Sequence, residues 1–512
     1  MNKQLEYGLL ALTFSVHKLQ REPKQFVELV CQRFIKRGGK DLVEDIFGST
    51  KSVGEVDQAE LLVERGQLPK ADSLLVGRKG IKARILRKNM KEQRVRWGME
   101  VLSSSPLAPI DEELPRVYSL QTSSVPYTQS GYTIRSLQSM EAMAEAGVVI
   151  RAATRLGYPV VIGKRPYEKS EENNVFDFDR LLPKIFPRSF EDEVNLAVLL
   201  LQQKAEKFCP HVLHTTTDSK NAQVVSRVAQ RLNIPWVYEV RGEPEKTWVS
   251  KFPRELQAEV VTSERFNALR EKETEAMNAA SAVIALSNVS KEQIVQRGVA
   301  RDKVVVIPNA VESKYTDLKY NKSEIRVELG LPERRLVGTV SSIVDYEGID
   351  TLLEAAVLEE GFDVVIVGDG AHLPALKRRA LQLGVEGRTH FVGKVPSEEA
   401  WKWYAALDVF AVPRKDTEVC RTVTPLKPLM ALALGVPVVG SDLPAINEVT
   451  GNNLIPHVPE EPKSLVQAIE RAVEASSVEK QELRSWAKSR TWDVNGQKFK
   501  DLFNGRFLAN EA

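Results

Sequence analysis

At 512 residues the chain is too long for one hydrophobic core, so two or three domains are expected. A formal net charge of +2, with 27% charged and 43% hydrophobic residues, describes an ordinary globular protein and excludes a global pull toward nucleic acid. Cys31, Cys209 and Cys420 stand alone without CxxC spacing, which argues against a disulfide framework or a zinc site and fits a reducing cytoplasm.

Residues 1–112 read as a helical extension. The apolar run Tyr7 to Val16 is too short to span a bilayer, and it lacks a basic lead-in and an Ala-x-Ala site, so a cytoplasmic chain is expected. Leu9, Leu10, Leu12, Val16 and Leu19 recur at roughly helical spacing, and Phe26, Val27, Val30 and Phe34 repeat it before Gly38-Gly39. Gln58 to Arg65, then Gly66, then Pro69 to Leu75 suggest a helical hairpin. Between Lys79 and Arg96, eight cations (Lys79, Lys82, Arg84, Arg87, Lys88, Lys91, Arg94, Arg96) face one acid, Glu92. Ile81, Ile85, Leu86 and Met90 add a narrow apolar stripe. Two readings stay open for residues 79–96: a basic amphipathic helix lying on an anionic membrane, at the inner face of the plasma membrane, or a solvated helix packed on the next domain. Residues 1–112 are also the natural place for a protein partner. Ser103 to Pro109 reads as a linker.

From Arg116 strands and helices alternate. Val117–Leu120, Val148–Thr154, Val212–His214, Trp236–Val240, Ala282–Leu286 and Val304–Ile307 read as strands separated by helices, which predicts a doubly wound parallel sheet. A second series follows the polar bridge Ser313 to Arg335, with strands at Leu336–Val340, Asp363–Val367, Thr389–Val392, Leu407–Val412 and Val436–Gly440. The expected fold class is therefore α/β, with two tandem Rossmann-like domains over 113–312 and 313–484. Helices around Trp486 and Trp492 (485–512) are expected to cross back and complete the first domain. Ligands of such sheets bind beyond the carboxyl ends of the strands, which points to Tyr404–Gly451 with Arg414, Lys427 and Glu448 near that edge. Within this stretch a helix is expected from Pro428 to Leu434, and Glu448 is expected in a loop.

Several ordered motifs carry a resemblance. They are Gly338-Thr-Val-Ser-Ser-Ile-Val-Asp-Tyr-Glu-Gly348, Val364-Val-Ile-Val-Gly-Asp-Gly370, Pro413-Arg414, Val423 to Leu429, Gly435-Val-Pro-Val-Val439 and Glu448-Val449. In the first domain Pro126 to Arg135, Tyr238-Glu-Val-Arg-Gly242 and Ile307-Pro-Asn-Ala-Val311 join them. Over about residues 116–495 the set resembles glycosyltransferase family 4 proteins of GT-B fold. The resemblance implies transfer of a sugar from a nucleotide-sugar donor, with retention at the anomeric carbon, to a cell-surface glycan or lipid-linked acceptor. It implies no cofactor besides that donor, no metal, and no nucleic-acid partner.

On this resemblance the donor would meet Gly131, Ser341, Ser342, Arg414, Lys427, Met430 and Glu448. Many similar proteins place an Arg and a Lys after the first strand of the nucleotide domain. Here that loop, Ser341 to Glu347, holds neither, and Arg414 and Lys427 are the substitutes for meeting a diphosphate. His214, Glu239 and Arg241, at strand ends on the cleft side, are the expected catalytic residues, the alternatives being a structural histidine at His214 and a Glu239–Arg241 pair. For Arg135 the choice lies between an anionic acceptor and a helix cap. The family usually carries two glutamates in the donor segment. Met430 stands where the second belongs, and Arg421 or Thr422 where the first does, with Glu418 nearby but out of register. A carboxylate accepts two ribose hydroxyl bonds and a thioether none of comparable strength, a loss of about 1–3 kcal/mol. The alternative to an enzyme is a catalytically silent GT-B scaffold or partner subunit of a glycan-assembly system. A sugar-nucleotide epimerase is a more distant one. Gly368-x-Gly370 hints at a dinucleotide fingerprint, but Leu373 fills the third glycine position.

Overall fold

The computed structural model describes residues 7–15, 54–110, 114–166, 178–396, 398–475 and 477–505. The repeat expected over Phe26 to Phe34 lies outside them. In the extension, helix α1 covers residues 7–15. It is followed by α2 (Glu55–Glu64), α3 (Leu68–Leu75) and α4 (Ile81–Gly98). Ala59, Val63, Leu68, Ala71, Leu75, Ala83, Leu86 and Met90 close a small core of their own among α2, α3 and α4. The α2–α3 turn docks closely on the first domain: at Gly66 (φ +73°) an added Cβ would stand 2.8 Å from the Trp248 ring.

The first domain runs β1 (Arg116–Gln121), α5 (Gly131–Glu145), β2 (Val149–Thr154), β3 (Phe178–Arg180), α6 (Phe190–Phe208), β4 (Val212–Thr216), α7 (Ser219–Leu232) and β5 (Trp236–Glu239). It continues with α8 (Pro244–Val249), α9 (Arg254–Val260), α10 (Glu264–Ala279), β6 (Ala282–Ala285), α11 (Asn288–Gln296) and β7 (Val304–Val306). Its strands form a seven-stranded parallel sheet in the order β3-β2-β1-β4-β5-β6-β7. Alternation along the strands feeds two cores. Tyr118, Leu213, Trp236 and Tyr238 point into one, and Val117, Val212, Val237 and Ile284 into the other. Burial on both faces explains why these strands read as unbroken apolar runs.

The second domain runs α12 (Lys322–Leu329), β8 (Arg335–Val340), α13 (Ile349–Leu358), β9 (Phe362–Val367), α14 (Leu373–Leu383), β10 (Thr389–Gly393), α15 (Ala400–Ala406) and β11 (Val409–Val412). Then come α16 (Glu418–Thr422), α17 (Lys427–Ala433), β12 (Val438–Ser441), α18 (Pro444–Thr450), β13 (Ile455–His457), α19 (Pro462–Val473) and α20 (Ser477–Lys488). Its six-stranded parallel sheet has the order β10-β9-β8-β11-β12-β13. The last helix, α21 (Trp492–Phe503), leaves this domain and packs Phe499, Leu502 and Phe503 beneath Val117, Val212 and Val237 of the first sheet.

The architecture is thus two facing doubly wound domains with a helical extension, as the alternation predicts. Three details refine it. Glu448 sits in the short helix α18 rather than a loop, because Pro444 at its first turn starts a helix. Glu418 to Thr422 forms α16, capped by Thr417. The apolar stripe of residues 79–96 turns neither to a membrane nor to the next domain: Leu86 and Met90 are buried in the extension's own core, while Ile81 is left outside.

Candidate functional site

The carboxyl ends of the two sheets face each other across the domain boundary. On the first-domain side, β5 ends at Glu239, whose carboxylate lies fully buried between two guanidinium groups. Arg135 donates from Nε to Glu239 Oε1 at 2.8 Å and from Nη2 to the Ile307 carbonyl at 2.8 Å. Its Nη1 donates to the Pro308 carbonyl and to Asn309 Oδ1, both at 3.0 Å. Arg241 donates from Nη2 to Glu239 Oε2 at 2.6 Å and from Nη1 to the Tyr132 carbonyl at 3.1 Å, with its guanidinium 4.9 Å from the Tyr132 ring centroid. Burial by itself would raise the Glu239 pKa, but Arg241 and Arg135 outweigh it and hold the carboxyl well below the usual range.

His214 does not end its strand at the cleft. It lies inside β4, 1% exposed, with Nδ1 2.8 Å from Ser119 Oγ, Nε2 3.4 Å from Glu239 Oε2, and its ring 6.0 Å from that of Phe503. Burial lowers its pKa, so the ring is neutral near pH 7. The expected catalytic trio His214, Glu239 and Arg241 is therefore brought together, but as a buried network under the cleft floor. Arg135, expected at an acceptor or as a helix cap, belongs to the same network and spends its donors within the protein. The reason is physical: once β5 carries a buried carboxylate, cations must come from neighbouring elements to neutralise it.

Gly131 opens α5, behind Ser130, whose Oγ accepts from the Thr133 amide at 3.3 Å. It is exposed, and the Leu426 side chain of the second domain is the group an added Cβ would approach, at 3.8 Å. The first turn of this helix thus lies beside the donor segment.

On the second-domain side, β11 ends at Pro413 and delivers Arg414, while Lys427 begins α17. Both cations converge on Glu347. Arg414 Nη2 lies 3.0 Å from Glu347 Oε1, its Nε donates to Oε2 at 3.3 Å, and Lys427 Nζ lies 2.7 Å from Oε1. Gly348 makes this convergence sterically feasible. At φ +66° it passes so close that an added Cβ would stand 1.9 Å from the Pro413 carbonyl oxygen. Burial would raise the Glu347 pKa, yet Arg414 and Lys427 hold it down at about 2. Lys427 is itself lowered by burial although Glu347 supports it, whereas Glu347 raises Arg414 against the opposing effect of burial.

The sign of the resulting pH dependence follows directly. A carboxyl lowered in the folded state contributes stability above its unfolded pKa of about 4.3 and loses it toward its folded one. The second domain should therefore lose up to about 3 kcal/mol between pH 4.5 and 2. Chemical unfolding across that window measures it, and a Glu347→Gln chain should show a flatter profile there.

Ser341 is buried, its amide donating to the Val367 carbonyl at 2.9 Å, while Ser342 is exposed beside it. Met430 is half-buried in α17 and packs against the domain core. Thr422 reaches the first domain, its hydroxyl 3.4 Å from Glu243 Oε2. Glu448, expected at the donor, is engaged across the boundary instead: the Val289 amide donates to its Oε2 at 2.8 Å and the Asn288 amide to its Oε1, so it caps α11. Lys246 with Glu418 at 2.8 Å, and Asn309 Nδ2 with the Thr424 carbonyl at 3.2 Å, also join the domains. Asp345, Asp350 and His372 lie close enough to share a cation. The Lys415 ammonium already serves them, 2.6 Å from Asp345 and 3.8 Å from Asp350.

Two residues central to this geometry, Glu347 and Asn309, carry no role in the reading of the sequence. Their signal was present only as a charged residue before a turn glycine and as an Asn after a strand-ending proline.

Comparison with known proteins finds a family match in each of the two domains. The family described as Glycosyl transferase 4-like domain matches residues 130–310, and that described as Glycosyl transferases group 1 matches 334–475. The lipopolysaccharide core biosynthesis mannosyltransferase LpsB of Rhizobium meliloti (strain 1021) is 30% identical over 162 residues, 29% of this chain and 43% of that protein. A GDP-mannose-dependent alpha-(1-6)-phosphatidylinositol monomannoside mannosyltransferase of Mycobacterium tuberculosis is 33% identical over 138 residues, 26% of this chain and 36% of that protein. The chain thus spans less than half the length of these two relatives. Among solved structures, Anabaena Alr3699/HepE in complex with UDP and glucose superposes with a TM-score of 0.60 at 17% identity, covering 76% of this chain and 99% of that one. Sucrose-phosphate synthase from Thermosynechococcus elongatus gives 0.58 at 20% identity, covering 77% and 100%. With one family matching each domain and this two-sheet fold, the chain belongs to the glycosyltransferase 4-like proteins of GT-B fold.

Proposed function

We propose that the chain transfers a sugar from a nucleotide-diphosphate sugar to a glycan or lipid-linked acceptor of the cell surface, with retention of anomeric configuration. The observation that carries this reading is the pairing of Arg414 and Lys427 at the carboxyl edge of the second sheet, opposite the amide-bearing head of α5 at Gly131. Developing negative charge on a leaving diphosphate needs such an arrangement. Ser341 and Ser342 lie on the same edge, after β8. In a retaining transfer the departing phosphate oxygen can take the proton of the incoming hydroxyl, so His214, Glu239 and Arg241 serve by holding the cleft floor and no exposed base is needed. The mannosyltransferase names of two relatives support a hexose donor and a lipid or lipopolysaccharide acceptor.

A second reading is a catalytically silent GT-B scaffold or partner subunit. Glu347 occupies the cations that would meet the diphosphate, which adds to the expectation that Met430, and Arg421 or Thr422, stand where the family's glutamates belong.

Isothermal titration with a panel of uridine and guanosine diphosphate sugars separates the two. The enzyme reading expects measurable binding of at least one donor, and about 10-fold tighter binding in Met430→Glu, worth about 1.4 kcal/mol. Absence of heat with every donor, in both chains, would sink it in favour of the scaffold.

A further inference from the structure

The extension leaves one surface that the two-domain fold does not use. Helix α4 turns Ala83, Leu86 and Met90 into the extension's core. On the opposite side, at helical spacing, stand Ile81, Arg84, Lys88 and Lys91, all exposed. Lys79 extends the row beyond the helix start, and Val76 opens the α3–α4 turn. Val76 is 76% and Ile81 71% exposed, and they flank the turn that Gly77 (φ +68°) and Gly80 (φ +119°) form.

The other cations of the run are accounted for. Lys82 pairs with Asp57 and Glu60, Arg78 with Glu55, and Arg94 with Asp72 at 2.7 Å and Glu264 at 3.2 Å. Arg87 donates to the Arg78 carbonyl at 2.6 Å. Arg96 lies 3.5 Å from Asp218. The acid Glu92 is turned to the first domain, where it accepts from the Phe190 amide at 3.1 Å. Lys79, Arg84, Lys88 and Lys91 make no ion pair among the described residues. A row of four unneutralised cations with two protruding aliphatic side chains at one end is complementary to an anionic, partly apolar surface.

We infer that this face of α4 and the adjoining turn dock the protein on an anionic lipid bilayer. The cations lie over the headgroups and Val76 and Ile81 enter the acyl boundary. The mode differs from an amphipathic helix that inserts its apolar stripe, because that stripe is already buried within the extension. The inference is independent of donor chemistry and goes beyond the proposed transfer reaction.

Co-sedimentation of the full chain with phosphatidylcholine vesicles, with and without phosphatidylglycerol, tests it. The chain should pellet with the anionic vesicles and stay in solution with the neutral ones, and raised salt should release it. The quadruple variant Lys79→Gln, Arg84→Gln, Lys88→Gln, Lys91→Gln should bind about two to three orders of magnitude more weakly, at roughly fivefold per cation. Val76→Ser with Ile81→Ser should also weaken binding while leaving its salt dependence. All six positions are exposed, so circular dichroism should be unchanged. Equal recovery with both vesicle types, wild-type binding by the quadruple variant, or capture by a soluble polyglutamate in place of the vesicles would overturn the inference.

Discussion

Replacing Glu239 with alanine should destabilise the first domain by about 3–5 kcal/mol, the range seen when one partner of a buried ion pair is removed. The carboxylate is fully buried and is the acid that Arg135 and Arg241 both face. Without it two guanidinium groups are left close together in a low-dielectric interior with insufficient counter-charge. Glu239→Gln keeps the shape and much of the hydrogen bonding but not the charge, so it should recover only part of the loss. Urea unfolding monitored by circular dichroism reads the effect. A cost below about 1 kcal/mol would show that the network is not held by charge.

The second large effect concerns Glu347. Glu347→Gln should raise the affinity for uridine or guanosine diphosphate by about 10- to 100-fold, because Arg414 and Lys427 lose their internal carboxylate and become available to phosphate oxygens. Lys427→Met should act in the opposite direction. Titration calorimetry with the bare diphosphates measures both. If affinity is unchanged in Glu347→Gln, the two cations do not meet the nucleotide and the donor-site assignment is wrong.

The fold was legible wherever one physical rule dominated. Strands β1, β4, β8, β9 and β11 are buried on both faces, so their sequences are short apolar runs between turn residues. Strands β3 and β13 escaped notice because Phe-Asp-Arg and Ile-Pro-His are short, polar edge strands, with Pro456 tolerated at that edge. The site was legible in its cations but not in their partners. Glu347 lies 67 residues from Arg414 and 80 from Lys427, and Arg135 lies 104 from Glu239. Nothing local in a sequence records such pairings. Arg135 looked available only because its two partners, Glu239 and the Ile307–Asn309 turn, arrive from far along the chain. Glu448 was likewise placed by its own segment, whereas its partners, the Asn288 and Val289 amides, belong to the other domain.

The path of α21 has a mechanical consequence. The chain crosses between the domains twice, and the two crossings lie side by side: the Val311 amide donates to the Arg490 carbonyl at 2.9 Å, and the Trp492 amide to the Val311 carbonyl at 3.1 Å. A single flexible tether would let two bodies slide, twist and separate. Two parallel segments bonded to each other act as a pin. Rotation about their line changes few dihedrals, while sliding or twisting breaks those bonds.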